Sequence, residues 1–217
     1  VGEWIDISQP LTDKIAHWPG DKPFSYSLTA SKQETKSVNI GQITTSLHTG
    51  THIDAPFHFD SNGKTIEQLD INLYIGKSVV IDVSQANTIT AEVLSQYHWP
   101  SEINRVLLRT SLPNNPERFP DVLPNLDPNI APYLQRLGVF LLGVDMPSVD
   151  APDSKDLVTH HALQDHGIHI LENIMLDQIK PGEYELIALP LHIHGADGSP
   201  VRAALCPINK EDAQHDK

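Results

Sequence analysis

An α/β fold with a mixed sheet and short helices is what this sequence predicts, and three features predict it. Short apolar runs of strand type recur along the chain, short capped helical stretches stand between them, and turn-forming segments separate the two. At 217 residues the chain is long enough for one well-buried core, so a single domain is expected over residues 1–208, with a polar tail, NKEDAQHDK, at 209–217.

The elements follow in order. WIDISQPL alternates and stops at Pro10, which reads as a strand entering a loop, and IAHWPGDKPF is that loop, with Trp18 on irregular backbone. SVNIGQITTSL, rich in Val, Ile and Thr, predicts a strand running directly into LHTGTHIDAPFHF, after which DSNGKT is a turn. SVVIDV is a short strand, TAEVLSQYH has the Thr90 cap and spacing of a short helix, and NRVLLRTS is a buried strand. The proline-rich LPNNPERFPDVLPNLDP reads as an irregular connection, not an interdomain linker, because apolar residues continue through it. IAPYLQRLG predicts a helix ended by Gly138, VFLLGVDM a strand, LVTHHALQDHG a helix closed by Gly167, IHILENIML a strand, and YELIALPLHI a last strong strand.

Composition narrows the partners. Lys and Arg number 15 against 28 Asp and Glu, a net charge of -13, which argues against a nucleic-acid or anionic-membrane surface, since phosphate backbones need a basic footprint. No apolar run approaches the roughly 20 residues of a membrane span, and VGEWIDISQP lacks the basic-then-apolar layout of a signal peptide. Cys206 is the only cysteine, so any metal site is built from nitrogen and oxygen ligands, and a cytoplasmic location is expected.

Of 12 histidines, nine cluster in three segments: His48, His52 and His58; His160, His161, His166 and His169; His192 and His194. In the first, His48, His52, Asp54 and His58 all occupy even positions, which a straight strand points to one face. Four residues of extended chain span about 13 Å, whereas zinc ligands lie about 2.0 to 2.2 Å from the ion, so the chain must bend between His48 and His52. A helix would close the distance, but Gly50, the β-branched residues and Pro56 oppose one. Gly50 offers the bend, and a strand end curling at residues 49–51 is expected.

The segment resembles the signature HxGTHxDxPxH of the metal-dependent cyclase-like hydrolases, complete here as HTGTHIDAPFH from His48 to His58. The likeness continues through WPGD at Trp18–Asp21, GVDMPSVD at Gly143–Asp150, HILEN at His169–Asn173 and DGSPVRA at Asp197–Ala203, in order along most of the chain. It implies a three-layer β/β/α domain of swivelling type, a homodimer, and a cofactor of two Zn2+ per chain, for which Mn2+ or Co2+ would suit the same ligands. It also implies the ligands: His48, His52 and Asp54 for one ion, with Asp54 bridging to a second held by His160 and Glu172. His161 is the surface-facing alternative to His160, and His166 and His169 read as helix-end and structural residues.

The activity the resemblance implies is hydrolysis of N-formyl-L-kynurenine to L-kynurenine and formate, a step of tryptophan degradation, by a water that the two ions activate. His58 is expected to move the proton, because its ordinary pKa lies near operating pH. A third metal ligand is the competing role, which Pro56 and the offset from Asp54 disfavour. Trp18 is expected against the substrate's aromatic ring, and Asp145, Ser148 and the DGSPVR block around the site, while His192 stands where a basic residue is expected near the last strand. The rival activities are cyclic-amide (isatin-type) or lactone hydrolysis within the same family, and metal or ligand binding without catalysis, which would have no use for a non-ligand histidine at 58.

Overall fold

The computed structural model describes residues 2–208, so Val1 and the expected polar tail at 209–217 lie outside the described residues. The strands are β1 (Ile5–Asp6), β2 (Ser25–Ala30), β3 (Ile40–Thr44), β4 (His52–Asp54), β5 (Ile75–Asp82), β6 (Thr88–Ile89), β7 (Arg105–Arg109), β8 (Asn125–Leu126), β9 (Leu141–Val144), β10 (His169–Glu172), β11 (Gly182–Ile187), β12 (Gly198–Pro200) and β13 (Ala204–Pro207). The α-helices are α1 (Lys32–Thr35), α2 (Ala91–Ser95), α3 (Ile130–Arg136) and α4 (Val158–Asp165).

Nine strands form one mixed sheet in the order β1-β13-β11-β5-β7-β9-β10-β4-β12. Its centre, β5-β7-β9-β10, is parallel, and the outer pairings are antiparallel. Side-chain alternation explains why both faces of the parallel centre are apolar. Val79, Ile81, Val106, Leu108, Leu142, Val144 and Ile170 face one core with Leu94 of α2, Leu134 of α3 and Leu163 of α4. Their neighbours Val80, Leu107, Leu141 and Leu171 face a second core with Ile53, Leu186 and Leu205 from the outer strands. Burying each such aliphatic side chain contributes about 1.5–3 kcal/mol, so the two cores outweigh any single surface contact.

The sheet curls around the second core, bringing its ends together. Gln9 N–H, just past β1, donates to Thr51 Oγ1 at 2.8 Å, and Ile7 C=O accepts from Met175 N–H at 2.8 Å. Sheet over sheet with helices outside is the mixed α/β layering that the chain predicts. Thr90 Oγ1 accepts from Val93 N–H at 3.3 Å, capping α2 as its sequence implies.

Several elements differ from expectation. The strand expected through SVNIGQITTSL ends at Thr44 and pairs only with β2, in a two-stranded hairpin whose side chains are mostly exposed. β-propensity was legible there, but burial was not, and β2 went unpredicted. The last strong strand stops at Ile187, and β12 and β13 follow it. Pro190 lacks a ladder N–H, and Leu189 and Leu191 are exposed beyond the sheet. The strand expected through IHILENIML ends at Glu172 because Asn173 turns into the left-handed region, φ 57°. The proline-rich connection is irregular except at β8, which pairs with β6. No helix among the described residues is long and apolar enough to cross a membrane.

Candidate metal centre

The signature residues enter the site from three kinds of backbone. His52 and Asp54 occupy alternate positions of β4 and are buried, while His48 precedes the strand in a turn and His58 ends the 3-10 turn Pro56–His58. The expected bend is present at Gly50, whose φ of 70° favours glycine, and it folds His48 back so that its ring centroid lies 5.0 Å from that of His52. β4 lies between β10 and β12, with Glu172 directly opposite His52 and Gly198 opposite Asp54. Cross-strand register therefore places the Glu172 carboxylate beside the histidine, with His52 Nε2 3.3 Å from Glu172 Oε2 and 3.3 Å from Asp54 Oδ1.

His160 arrives from the first turn of α4. Its Nε2 lies 3.5 Å from Asp54 Oδ2 and 3.9 Å from Glu172 Oε1, while His161 is exposed. Asp54 thus stands between two overlapping groups that can hold a cation: His48, His52 and Asp54, and Asp54, His160 and Glu172.

Tautomers support a metal here. His52 Nδ1–H donates to Gly50 C=O at 2.8 Å, and His160 Nδ1–H to Asp150 Oδ2 at 2.7 Å, which leaves both Nε2 lone pairs turned toward the carboxylates. His52 Nε2 and Asp54 Oδ2 are buried without a hydrogen-bond partner. Leaving such atoms unmade costs about 1–3 kcal/mol each, and a divalent cation would satisfy both. The donor set of imidazole nitrogens and carboxylate oxygens suits zinc.

Electrostatics agree. Burial opposes charge on His52, but the Asp54 and Glu172 carboxylates 3.3 Å from its Nε2 outweigh it and raise its pKa to about 10. His160 is likewise raised to about 10 against burial by Asp150 and Asp54, and His48 to about 9 by Asp197 and Asp54. Burial also opposes the charge on Asp54, yet the His160, His48 and His52 rings around it hold it well below the usual carboxylate range. Burial and the neighbouring Asp54 charge push Glu172 up. Without a metal the carboxylates collect protons on the histidines, and a divalent ion would replace those protons.

His58 is apart from this cluster. Its ring stacks on that of His48, with centroids 3.8 Å apart, and its Nδ1 lies 3.6 Å from Asp197 Oδ2. Burial lowers its pKa, which favours the neutral, proton-accepting ring. Trp18 is half-buried, meets Phe119 edge-on at 5.3 Å, and lines a cavity together with His48, His52, His58, His160 and Glu172. Ser148 also lines it, and Asp145, buried nearby, accepts from Thr110 N–H and Oγ1.

Two residues inside recognised blocks were not singled out from sequence. Asp197 Oδ2 lies 3.0 Å from His48 Nε2. Asp150 accepts from Thr159 N–H, His160 N–H and His160 Nδ1–H, so one carboxylate both caps α4 and aims the imidazole. The available signal was an acid in each of GVDMPSVD and DGSPVRA. His166 Nδ1–H bonds back to Ala162 C=O at the end of α4, and His169 stands beside the Tyr74 hydroxyl on β10. His192 and His194 are exposed in a loop.

Gly198 exposes how tightly His48 is held. A Cβ there would lie 2.9 Å from His48 Cε1 and 2.9 Å from Ile53 C=O, so Gly198→Ala must displace the ring. If His48 is a ligand, the variant is expected to remain folded but to bind a divalent ion such as zinc about 10- to 100-fold more weakly, as changes beside a ligand commonly do. Unchanged affinity by competition with a chromophoric chelator would show that His48 does not hold the ion.

Residues 5–151 match the model of a family described as "Putative cyclase". The chain is 55% identical to a kynurenine formamidase of Bacillus cytotoxicus over 208 residues, which cover 96% of this chain and 99% of the relative. Among solved structures, a potential metal-dependent hydrolase with cyclase activity superposes with a TM-score of 0.80 at 23% identity, covering 96% of this chain and 100% of that one. Isatin hydrolase A of Labrenzia aggregata superposes with a TM-score of 0.80 at 23% identity, covering 95% and 94%.

Proposed function

The chain belongs to the cyclase family, and from that premise we propose that it hydrolyses N-formyl-L-kynurenine to L-kynurenine and formate with two zinc ions in the candidate centre. The observation that carries the chemistry is the convergence of His52 and His160 Nε2 on the Asp54 and Glu172 carboxylates, with His52 Nε2 and Asp54 Oδ2 lacking any other partner. Identity of 55–56% to kynurenine formamidases over 96% of this chain supports the substrate.

His48, His52 and Asp54 would hold one ion, and Asp54, His160 and Glu172 the other. When bound, such a pair polarises a carbonyl oxygen and lowers the pKa of water toward neutrality. The chain's own residues do the rest. His58, neutral and at the cavity wall, takes the proton that water gives up and returns it to the departing aryl amine, so the C–N bond breaks without leaving an amide anion. Asp197 holds the rings of His48 and His58 from one side, and Trp18 provides the aromatic wall for the substrate ring.

The test is formate release from N-formyl-L-kynurenine with metal counted per chain, before and after chelation. Release should vanish on chelation and return with zinc at two ions per chain. Ring opening of isatin without any formate release would move the assignment to cyclic amides.

The hairpin β2–β3 supports a homodimer. It exposes Tyr26, Leu28, Ile40 and Ile43, with Val38 beside them, an apolar surface that an isolated chain would leave in water. Sedimentation equilibrium should give twice the chain mass, and a monomer at micromolar concentration would refute the assignment.

A further inference from the structure

A second cleft adjoins the metal cavity and shares Trp18, His48 and Pro147 with it. Its lining differs in chemistry: Asn114, Arg118 and Asp145 stand in it, with Phe119 against Trp18. Resting on the formamidase reading above, we infer that this cleft takes the zwitterionic α-amino-acid end of the substrate, with Arg118 and Asn114 toward the carboxylate and Asp145 toward the ammonium.

The shape of the substrate requires two adjoining chambers. The formamide and the acyl chain leave neighbouring ring carbons, so a ring held at Trp18 with its formyl group at the metals sends the chain out beside it. The cleft is the space that also meets Trp18 and His48.

Its polar groups are already oriented. Asn114 Oδ1 accepts from Leu176 N–H at 2.8 Å and Asp177 N–H at 3.0 Å, which fixes the rotamer and leaves the Nδ2 hydrogens to donate elsewhere. Among the described residues Arg118 pairs with Asp121, on an exposed turn, an arrangement that costs little to exchange for a substrate carboxylate. Both oxygens of Asp145 accept from Thr110, which holds the carboxylate in place at the base of the cleft lining. Burial pushes its pKa up to about 7, and an incoming ammonium would favour its charged form. His192, which stands where a basic residue is expected near the last strand, lines neither cavity.

The experiment compares N-formyl-L-kynurenine with N-formylaniline, which lacks the amino-acid end, on zinc-loaded wild type, Arg118→Met and Asn114→Asp. Asn114→Asp keeps the pinned oxygen and replaces the donor by a negative oxygen. Wild type should favour the full substrate in kcat/KM by about tenfold or more, as expected for charge-assisted bonds, mostly through KM. Each variant should reduce that ratio at least severalfold. Equal kcat/KM for the two substrates in wild type, or variants that lower both in proportion, would overturn the subsite. Formate from neither substrate would overturn the formamidase reading, and this inference with it.

Discussion

Asp54→Asn should nearly abolish formate release, by more than the roughly 100-fold that loss of an outer-sphere partner commonly costs, because in the proposed two-metal centre this carboxylate would belong to both candidate ligand groups. The amide keeps the volume of the side chain but presents one carbonyl oxygen and no charge. His48, His52 and His160 would all lose their shared anionic neighbour, which is among the groups that raise their pKa values. Metal content should fall from two ions per chain to one or fewer. Glu172→Gln provides the contrast: it leaves His48, His52 and Asp54 intact, so one ion should remain. Circular dichroism on both variants separates ligand loss from unfolding. Two zinc ions and undiminished turnover in Asp54→Asn would rule out the bridging role.

His58→Ala should lower kcat by about 10²–10⁴-fold, the range for losing a positioned acid-base group, while both ions stay bound. The geometry sets up two roles for this histidine. Its Nδ1 faces Asp197, and with His48 the three form a group that could itself coordinate a cation. Yet it lies on the 3-10 turn after Pro56, half-exposed, and its ring stacks on His48 where His52 and His160 aim Nε2 at carboxylates. Metal counting discriminates between the roles: loss of zinc from His58→Ala means a ligand, retained zinc with slow turnover means a proton carrier. Added imidazole should restore part of the rate in the second case only. Full turnover with both metals bound would remove His58 from the reaction altogether.

Much of this protein was legible because it is local. Gly50 and Pro56 excluded a helix around His48 and His52, and the required bend appears at Gly50. Thr90, Gly138 and Gly167 marked helix ends that the structure has, and the apolar runs at Val79, Leu107 and Leu142 are buried strands. The alternating pattern could not say which strands would be covered. β3 has strand chemistry like β5, but it pairs in a hairpin that the described residues leave exposed.

By itself, then, the sequence determined the kind of chemistry: nitrogen and oxygen ligands, a bent motif, and a lone cysteine outside the site. Only tertiary structure decided which groups meet. Glu172 reaches His52 through the antiparallel register of β4 and β10, and Asp197 reaches His48 through the loop leading into β12. Asp150 selects the His160 tautomer from a loop ten residues away. Register and tautomer depend on partners distant in the chain or hidden in loops, and a local pattern of side chains carries no information about which distant backbone will supply them.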